Sequence, residues 1–421
     1  MSLSFLRELV CSKCGRRYLP AERPLICRSR DLGRLDVVYD YEELKEFLSR
    51  DALSRRPWAG GVWRYWELLP AARELGAPLN EGLTPLICAR RLNEHVGLRR
   101  MWLKDETRNP TGSFKDRSMA VGVAKAVEMR METVVTASSG NAASSLAAYA
   151  ASLGLKCYAF VPEEVSIGKA AQLLTYGAKL FRVKAVEEGR DPTVQLMLKA
   201  VEAFGWYPCP SFGPFNPYQV EGPKTVVYEV AENLGWRFPD AILVPTGSAC
   251  FLAGIWKGVR DLVELGLVGD DLPKLIAVQP EGNQPLVRAV RGGLSLGEVE
   301  PERSPRSIAS GLLDPYPWDG DAAIEGIRRT GGTGVSVSDA EILDAVRLLA
   351  NRAGVFAEPS GAVGLAAAMR LRDEGFFDES DELVTVVTGS GLKEVERLVS
   401  TVGEIPLITP DLEQLRVYVE S

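Results

Sequence analysis

The stretch Asn109-Pro110-Thr111-Gly112-Ser113-Phe114-Lys115-Asp116-Arg117 places a lysine directly after a tight turn. Proline and glycine favour the turn itself, and we expect a helix to begin near Asp116. A lysine at such a junction could serve chemistry, but a solvated lysine at a helix start has the same spacing. The local pattern alone leaves both interpretations open.

Short apolar stretches alternate with amphipathic helical stretches from about residue 80 onward. The predicted strands are 133–137, 156–161, 241–245, 275–279 and 383–388. Each is continuously apolar, as strands buried on both faces should be. Several lead directly into Gly/Ser-rich turns and then helices, which predicts an α/β fold with ligands at the carboxyl ends of the strands.

Three loops of small residues follow predicted strands and are candidate anion sites. They are Ser138-Ser139-Gly140-Asn141, Gly247-Ser248-Ala249-Cys250-Phe251 and Thr388-Gly389-Ser390-Gly391. Small residues let backbone amides approach an anion, and a helix N-terminus adds partial positive charge. Close helix–sheet packing would use the same residues. None of the loops has the G-x-x-x-x-G-K-[ST] pattern of an ATP-binding loop, and the G-x-G-x-x-G dinucleotide fingerprint is also missing.

The charge balance argues against several classes of partner. The 49 basic and 56 acidic residues give a net charge of −7 without a long run of one sign, so neither nucleic acid nor an anionic membrane is expected as a partner. No stretch approaches the roughly 20 apolar residues that span a bilayer, and residues 1–8 lack the layout of a signal peptide. We expect a cytoplasmic protein.

Histidine and cysteine usage narrows the chemistry further. The single histidine, His95, lies at the polar end of a predicted helix and is interpreted as a surface residue, so Ser-His-Asp catalysis would have to use that one residue. Seven cysteines, an odd number, argue against a disulfide framework. If the protein is an enzyme, its acid–base work must come from another group, such as a lysine or a cofactor.

Residues 1–40 form a separate segment with a zinc-ribbon-like pattern. Cys11 and Cys14 are spaced C-x-x-C before Gly15, and Cys27 follows. A closed zinc site needs four ligands, whereas the position three after Cys27 is Arg30 and no histidine is near. Two interpretations stay open: a three-cysteine site completed by an outside ligand, or a degenerate ribbon held by its own small core. We favour the second, so zinc is a doubtful cofactor.

A lysine in a turn, three anion sites and almost no histidine fit pyridoxal phosphate, which needs a phosphate cradle, a lysine for its aldehyde and a partner for its ring nitrogen. The segment around Lys115 strongly resembles the lysine motif of the threonine synthases, in the tryptophan synthase β-like (fold type II) family. The resemblance covers roughly residues 80–400. It includes 104–106, 138–141, 147–151, 216–225, 358–362 and 388–393, and the cysteine segment resembles an extension of many archaeal members.

The resemblance implies a role for each matched residue. Lys115 would form a Schiff base with pyridoxal phosphate and move protons, and Asn141 would bond the ring hydroxyl. Thr388 would meet the pyridine nitrogen, and a hydroxyl there does not hold that nitrogen protonated. The substrate carboxylate would be bound by Ser138, Ser139, Gly140 and Asn141. The cofactor phosphate would be bound by the amides of Gly247, Ser248, Ala249, Cys250 and Phe251.

The implied fold has two doubly wound open-sheet domains with the cofactor between them, plus the small N-terminal extension. We expect the extension at 1–40, a segment leading into the large domain at 41–105, the small domain at 106–225 and the large cofactor-phosphate domain at 226–421. The implied activity is conversion of O-phospho-L-homoserine and water to L-threonine and phosphate by a homodimer. The only other partner expected is this small amino-acid substrate.

Several positions depart from the threonine synthase pattern where the substrate phosphate should bind. The usual Asn-Pro-x-Arg reads Asn216-Pro217-Tyr218-Gln219, and glutamine offers no charge to a phosphate. A basic residue elsewhere could substitute, and the candidates are Lys104, Lys169 and Lys224. Alternatively the chain is a serine/threonine ammonia-lyase, an O-phosphoserine-dependent cysteate-type synthase, or a non-catalytic cofactor-binding interaction protein.

Overall fold

A computed structural model describes residues 5–138, 140–163, 167–184, 191–399 and 405–419. The strands are β1 (Leu6–Cys11), β2 (Arg17–Tyr18), β3 (Leu35–Tyr39), β4 (Leu86–Cys88), β5 (Arg100–Asp105), β6 (Thr133–Ala137), β7 (Lys156–Pro162), β8 (Lys179–Val183), β9 (Tyr207–Pro208), β10 (Ala241–Pro245), β11 (Lys274–Pro280), β12 (Thr333–Val337) and β13 (Glu382–Val387).

The α-helices are α1 (Tyr41–Phe47), α2 (Arg50–Ser54), α3 (Arg90–Val96), α4 (Lys115–Glu128), α5 (Asn141–Ser152), α6 (Ile167–Thr175), α7 (Pro192–Phe204), α8 (Thr225–Asn233), α9 (Cys250–Glu264), α10 (Pro285–Arg291), α11 (Gly320–Arg329), α12 (Asp339–Ala353), α13 (Pro359–Asp373), α14 (Val395–Val399) and α15 (Leu412–Val419). Within the described ranges, no helix combines the length and the apolar character needed to cross a membrane.

A six-stranded sheet forms the larger layer, with strand order β12-β11-β10-β13-β5-β4. All neighbours are parallel except β4, which runs antiparallel to β5 at the edge. β10 and β13 are buried along their whole length, as their continuous apolar sequences predict. One apolar cluster lies between this sheet and α3, α12 and α13. A second cluster extends toward α4, α5, α9 and the N-terminal strands.

A four-stranded parallel sheet of order β8-β7-β6-β9 forms the second α/β layer. The five predicted strands are all observed, with ends that differ from the prediction by no more than one residue. The predicted α/β class is therefore confirmed. The parallel strands of both sheets have their carboxyl ends at the same region. This is the edge at which parallel sheets bind ligands.

The N-terminal segment is a three-stranded antiparallel sheet of order β2-β1-β3. Polar contacts as well as apolar packing join this three-stranded sheet to the larger layer. The Tyr39 hydroxyl donates to Glu221 Oε2 at 2.8 Å, and Lys257 Nζ donates to the Val37 carbonyl. The buried Arg34 guanidinium lies against Asp36, Asp319 and Asp321. These contacts connect the sheet to the segment before α8, to α9 and to the start of α11.

Candidate active site

A cavity of about 830 Å³ opens where the strands of the two sheets end. It is lined by residues that follow β5, β6, β10 and β13, so four separate strand ends contribute to it. The sequence-predicted residues that line it are Lys115, Ser138, Gly140, Asn141, Gly247, Ser248, Ala249, Phe251 and Thr388. Ser139 lies outside the described residues, and Cys250 is buried behind the loop.

Lys115 is the first residue of α4 and directs its amine toward the cavity. Its Nζ donates to the Ser211 hydroxyl at 2.8 Å and lies 5.0 Å from the ring centre of Phe114. Phe114 in turn stacks on Phe251, with ring centres 4.3 Å apart. The lysine amine thus lies between Ser211, in the segment after β9, and the ring of Phe114.

The turn before Lys115 is fixed by a buried carboxylate. Asp116 accepts hydrogen bonds from the Thr111 amide and hydroxyl, both at 2.7 Å, and from the Ser145 hydroxyl at 2.6 Å. Gly112 has φ +77°, a left-handed conformation that glycine adopts without strain. Burial raises the pKa of Asp116, although its three donors act in the opposite direction. The turn predicted from the sequence is therefore rigid, and it connects α4 to α5.

Asn141 begins α5 and faces a carboxylate across the cavity. Its Nδ2 donates to both oxygens of Glu358, at 2.9 and 3.0 Å. Gly389 allows this approach, since a Cβ there would lie 2.4 Å from Glu358 Oε1. The Gly140 amide donates to the Ser138 hydroxyl at 3.2 Å, which shapes the loop before the helix. Glu358 is a site residue that sequence reasoning quoted only as part of a motif.

The loop 246–251 forms a compact bend at the start of α9. Ala249 has φ +70°, and a Cβ on Gly247 would lie 2.7 Å from an Asp314 carboxylate oxygen. The Asp314 carboxylate therefore lies directly against the backbone of this loop. Burial raises the pKa of Asp314 to about 6, although the neighbouring Lys115 opposes the shift. Asp314 is a cavity residue that the sequence did not single out.

Thr388 follows β13 and lies next to the lysine turn. Its side chain is buried, and its carbonyl accepts from the Phe114 amide at 2.9 Å. A Cβ on Gly361 would lie 3.1 Å from the Thr388 amide, so the first turn of α13 packs directly on this strand end. Thr388 is therefore joined to the turn that carries Lys115 by main-chain contact, although the two are distant in sequence.

The prediction that Lys104 or Lys224 replaces the missing arginine at the substrate phosphate is wrong. Lys104 is fully buried in an ion pair with Glu229 at 2.5 Å, and Lys224 is fully buried with Asp261 at 2.8 Å. Neither lines the cavity, because each neutralises a carboxylate of the core. The side chain of Lys169 lies outside the described atoms.

Gln219 is buried beneath the cavity. Its Oε1 accepts from the Ser211 amide at 2.9 Å, and its Cγ would lie 2.9 Å from a Cβ on Gly122. It therefore supports the residue that holds the Lys115 amine. The cationic side chains that do line the cavity, among the described residues, are Lys115, Lys393 and Arg397. Lys393 Nζ donates to the Thr111 carbonyl at 2.8 Å and to the Ser144 hydroxyl at 3.0 Å.

The three N-terminal cysteines form a cluster outside this cavity. Cys11, Cys14 and Cys27 gather with Asp31, and the four potential ligand atoms lie within 4.8 Å of one another. Sequence reasoning found the cysteines but missed Asp31, because an aspartate four residues after Cys27 belongs to no familiar ligand spacing.

The cavity has the donor set that pyridoxal phosphate requires. It offers a lysine amine, a buried hydroxyl at a strand end, and a glycine-containing loop at the start of α9. This fold and this set of groups define the class of pyridoxal phosphate enzymes. The family profile described as pyridoxal-phosphate dependent enzyme matches residues 77–389, and the chain belongs to this family.

Among individual proteins, the chain is similar to threonine synthases over most of its length. It is 37% identical over 409 residues to the threonine synthase of Methanocaldococcus jannaschii, covering 96% of this chain and 98% of that one. It is 35% identical over 410 residues to the threonine synthase of Methanosarcina acetivorans, covering 97% and 98%. The threonine synthase of Mycobacterium tuberculosis is 34% identical over 360 residues, covering 85% and 94%.

Solved structures of related enzymes share the fold. The processed form of threonine deaminase isoform 2 from Solanum lycopersicum superposes with a TM-score of 0.65 at 19% identity, covering 88% of this chain and 96% of that one. The serine racemase of Dictyostelium discoideum gives 0.60 at 25% identity, covering 73% and 92%. Maize serine racemase gives 0.64 at 23% identity, covering 76% and 92%.

Proposed function

We propose that the protein is a pyridoxal phosphate-dependent threonine synthase that converts O-phospho-L-homoserine and water to L-threonine and phosphate. The observation that carries the proposal is the 37% identity to a threonine synthase across 96% of the chain. The cavity supports it, because Lys115, Asn141 and Thr388 all line the same space.

We assign the cofactor contacts to the residues that the family resemblance identified. Lys115 would hold the cofactor aldehyde, and Asn141 and Thr388 would meet its ring. The amides of Gly247, Ser248, Ala249, Cys250 and Phe251 would hold its phosphate. When bound, pyridoxal phosphate withdraws electrons from the substrate α-carbon and so makes the bonds there easier to break.

The chain's own residues would bind the substrate and move protons. The loop 138–141 would bind the substrate carboxylate with its amides and with Ser138, Ser139, Gly140 and Asn141. The Lys115 amine would take the proton from the α-carbon and then one from the β-carbon. Its hydrogen bond to Ser211 fixes the starting position of that amine, and Gln219 fixes Ser211. Positioning of this kind supplies much of the rate of such reactions.

We propose that Lys393 and Arg397 bind the substrate phosphate in place of the missing arginine. Both line the cavity, and Lys393 lies beside the first turn of α5, whose free amides also attract an anion. Arg397→Gln should raise KM for O-phosphohomoserine by about tenfold, the loss of one charge-assisted contact. Arg99→Gln, at an exposed ion pair elsewhere, is the control. Equal KM values for the two variants would refute the assignment.

One assay separates this proposal from the other activities that the sequence leaves open. The purified protein with pyridoxal phosphate is offered O-phosphohomoserine, O-phosphoserine with sulfite, serine or threonine. Phosphate, ammonia and product amino acids are then measured. Phosphate and threonine from O-phosphohomoserine support the proposal. Turnover of another substrate alone, or of none, would overturn it in favour of an ammonia-lyase, a cysteate-type synthase or a non-catalytic binding protein.

A spectrum tests the cofactor assignment separately. Lys115→Ala should lose the visible absorbance of lysine-bound cofactor, while Lys125→Ala should keep it, because Lys125 contacts the Pro70 carbonyl and Glu128 outside the cavity. An unchanged spectrum in Lys115→Ala would show that another amine holds the cofactor.

Domain limits and assembly are part of the same proposal. We propose an N-terminal zinc-ribbon-like unit at 1–40, a lead-in segment at 41–105, a small domain at 106–225 and a large domain at 226–421. We further propose a cytoplasmic homodimer. Light scattering on the purified protein should give about twice the chain mass of 45.9 kDa, and a value near one chain mass would contradict the dimer.

A further inference from the structure

The cluster of Cys11, Cys14, Cys27 and Asp31 has the dimensions of a metal site. The Cys14 and Cys27 sulfurs are 3.6 Å apart, and the Cys11 sulfur is 3.7 Å from each Asp31 carboxylate oxygen. A tetrahedral zinc with bonds of about 2.3 Å to sulfur and about 2.0 Å to oxygen separates two sulfurs by about 3.8 Å. It separates a sulfur from an oxygen by about 3.5 Å. The observed spacings agree with both values.

The surrounding backbone holds Asp31 in the position of a ligand. The Gly33 amide donates to Asp31 Oδ1 at 2.9 Å, and Lys13 Nζ donates to the Asp31 carbonyl at 2.8 Å. Gly33 itself has no room for a side chain, because a Cβ there would lie 2.5 Å from the Cys11 sulfur. A carboxylate and a thiol are thus brought together by a chain that bends tightly around them.

The thiols are arranged like the knuckles of a metal site. The Gly15 amide donates to the Cys11 carbonyl at 3.0 Å, and the Arg30 amide donates to the Cys27 carbonyl at 2.9 Å. Each cysteine turn is therefore closed by a main-chain hydrogen bond, and the three sulfurs gather within 4.8 Å of one another. The Tyr18 hydroxyl donates to the Cys27 sulfur at 3.3 Å, a supporting contact of the kind that orients metal ligands.

The charge of the segment matches such a site. Three thiolates and one carboxylate around a divalent ion leave a net charge of −2. Residues 12–34 carry seven basic side chains against two acidic ones, although the chain as a whole is acidic. The basic residues are Lys13, Arg16, Arg17, Arg23, Arg28, Arg30 and Arg34. Four of these residues pair with carboxylates outside the cluster, namely Arg17, Arg28, Arg30 and Arg34. Lys13 contacts the cluster directly, through its bond to the Asp31 carbonyl.

We propose that Cys11, Cys14, Cys27 and Asp31 bind one Zn²⁺ in a closed tetrahedral site with three sulfurs and one carboxylate oxygen. Three thiolates select a soft or borderline ion such as zinc. The fourth ligand comes from the same chain, and the site serves structure because it leaves no position for substrate. It anchors the segment that carries Arg34, whose carbonyl accepts from the Ser12 amide at 2.8 Å.

X-ray absorption at the zinc edge of the purified full-length holoenzyme, loaded with zinc, tests the ligand set directly. The expected result is three sulfurs at about 2.3 Å and one oxygen at about 2.0 Å, with about one zinc per chain. Thiol counting accompanies it. A Cys14–Cys27 disulfide, absence of zinc after loading, or a shell with fewer than three sulfurs would each overturn the proposal.

Variants then isolate Asp31. Zinc affinity is measured by competition with a chromogenic chelator, and Asp31→Ala should lower it at least about tenfold. Asp31→Cys should retain zinc, and its cobalt-substituted form should absorb more strongly in the sulfur-to-cobalt charge-transfer region. Cys88→Ser, at an exposed cysteine outside the cluster, is the matched control and should change neither property. Wild-type affinity in Asp31→Ala would exclude Asp31 as a ligand.

Discussion

Arg117 lies two residues after Lys115, and its removal should destabilise the protein severely. Its guanidinium makes hydrogen bonds of 2.5–2.8 Å to Glu106 and Glu229, and all three side chains are fully buried. Lys104 Nζ pairs with the same Glu229. Arg117→Met would therefore leave two buried carboxylates with a single cation between them. The uncompensated charge, rather than the lost contact, dominates the effect.

The expected loss is about 3–5 kcal/mol, the usual effect of breaking a buried ion pair from one side. For a chain of 421 residues, with an unfolding entropy of about 2.1 cal/mol/K per residue, that corresponds to a fall in melting temperature of roughly 3–6 °C. The matched control is Arg99→Met, which removes a 3.0 Å ion pair to Glu379 in which both side chains are exposed. Such a pair contributes about 0–1 kcal/mol, so the control should melt within about 1 °C of wild type.

The pH dependence of the difference provides a second check. Burial raises the pKa of Glu229, but Arg117 and Lys104 together lower it to about 2. Without Arg117 the pKa of Glu229 rises. The carboxylate can then take up a proton as the pH falls, and this removes the uncompensated buried charge. The stability gap between wild type and Arg117→Met should therefore narrow from pH 7 to pH 5. Differential scanning fluorimetry measures both effects. Equal melting temperatures for Arg117→Met and Arg99→Met, or a gap that widens toward pH 5, would refute this account.

Three further substitutions test other parts of the structure. Gly389→Ala should weaken cofactor binding about tenfold or more in a fluorescence titration. The new Cβ would lie 2.4 Å from Glu358 Oε1 and would displace Glu358, which accepts a hydrogen bond from Asn141. The control is Gly269→Ala, whose Cβ has no atom within 4 Å and which should bind the cofactor as wild type does. Burial raises the pKa of Asp319 to about 7, although Arg34 opposes this, so its native form keeps a proton that the unfolded chain has lost. Wild type should consequently lose stability relative to Asp319→Asn as the pH rises from 4 to 7, and a parallel pair of curves would contradict the shift. Gly33→Ala should release zinc, measured as metal content after dialysis, because its Cβ overlaps the Cys11 sulfur; Gly297→Ala is the control.

Much of the fold was predictable because its strands are buried on both faces. The continuous apolar sequences of β10 and β13 are typical of strands buried on both faces of a sheet. Because the two strands are parallel, the loops that follow them lie at the same edge of the sheet. The gathering of Lys115, Asn141, Gly247 and Thr388 around one cavity follows from that rule. The ends of β6, β10 and β13 agree with the prediction to within one residue because turns rich in glycine and serine follow these strands.

The remaining features depend on tertiary contacts that leave no mark in local sequence. The match to the Asn-Pro-x-Arg motif predicts that Gln219 faces the substrate, but its side chain packs against Gly122 beneath the cavity. The sequence suggests Lys104 and Lys224 as cations for the substrate phosphate, yet each forms an ion pair with a buried carboxylate. Asp31 reaches the cysteines through the left-handed conformations of Arg30 and Leu32, with φ +51° and +56°. Such conformations are uncommon for residues other than glycine, so spacing rules do not anticipate the turn.

The pairing of β5 with β13 has a consequence for biosynthesis. Trp102 on β5 donates to Glu382 on β13 across 280 residues of sequence, and Thr388 follows β13 directly. At about 5–20 residues per second, a ribosome needs roughly 14–56 s to make the chain between them. Throughout that interval β5 has its antiparallel neighbour β4 but lacks its parallel one. The lysine turn after β5 therefore cannot receive the main-chain contact from Thr388 until translation has passed residue 388, and the cavity is completed only then.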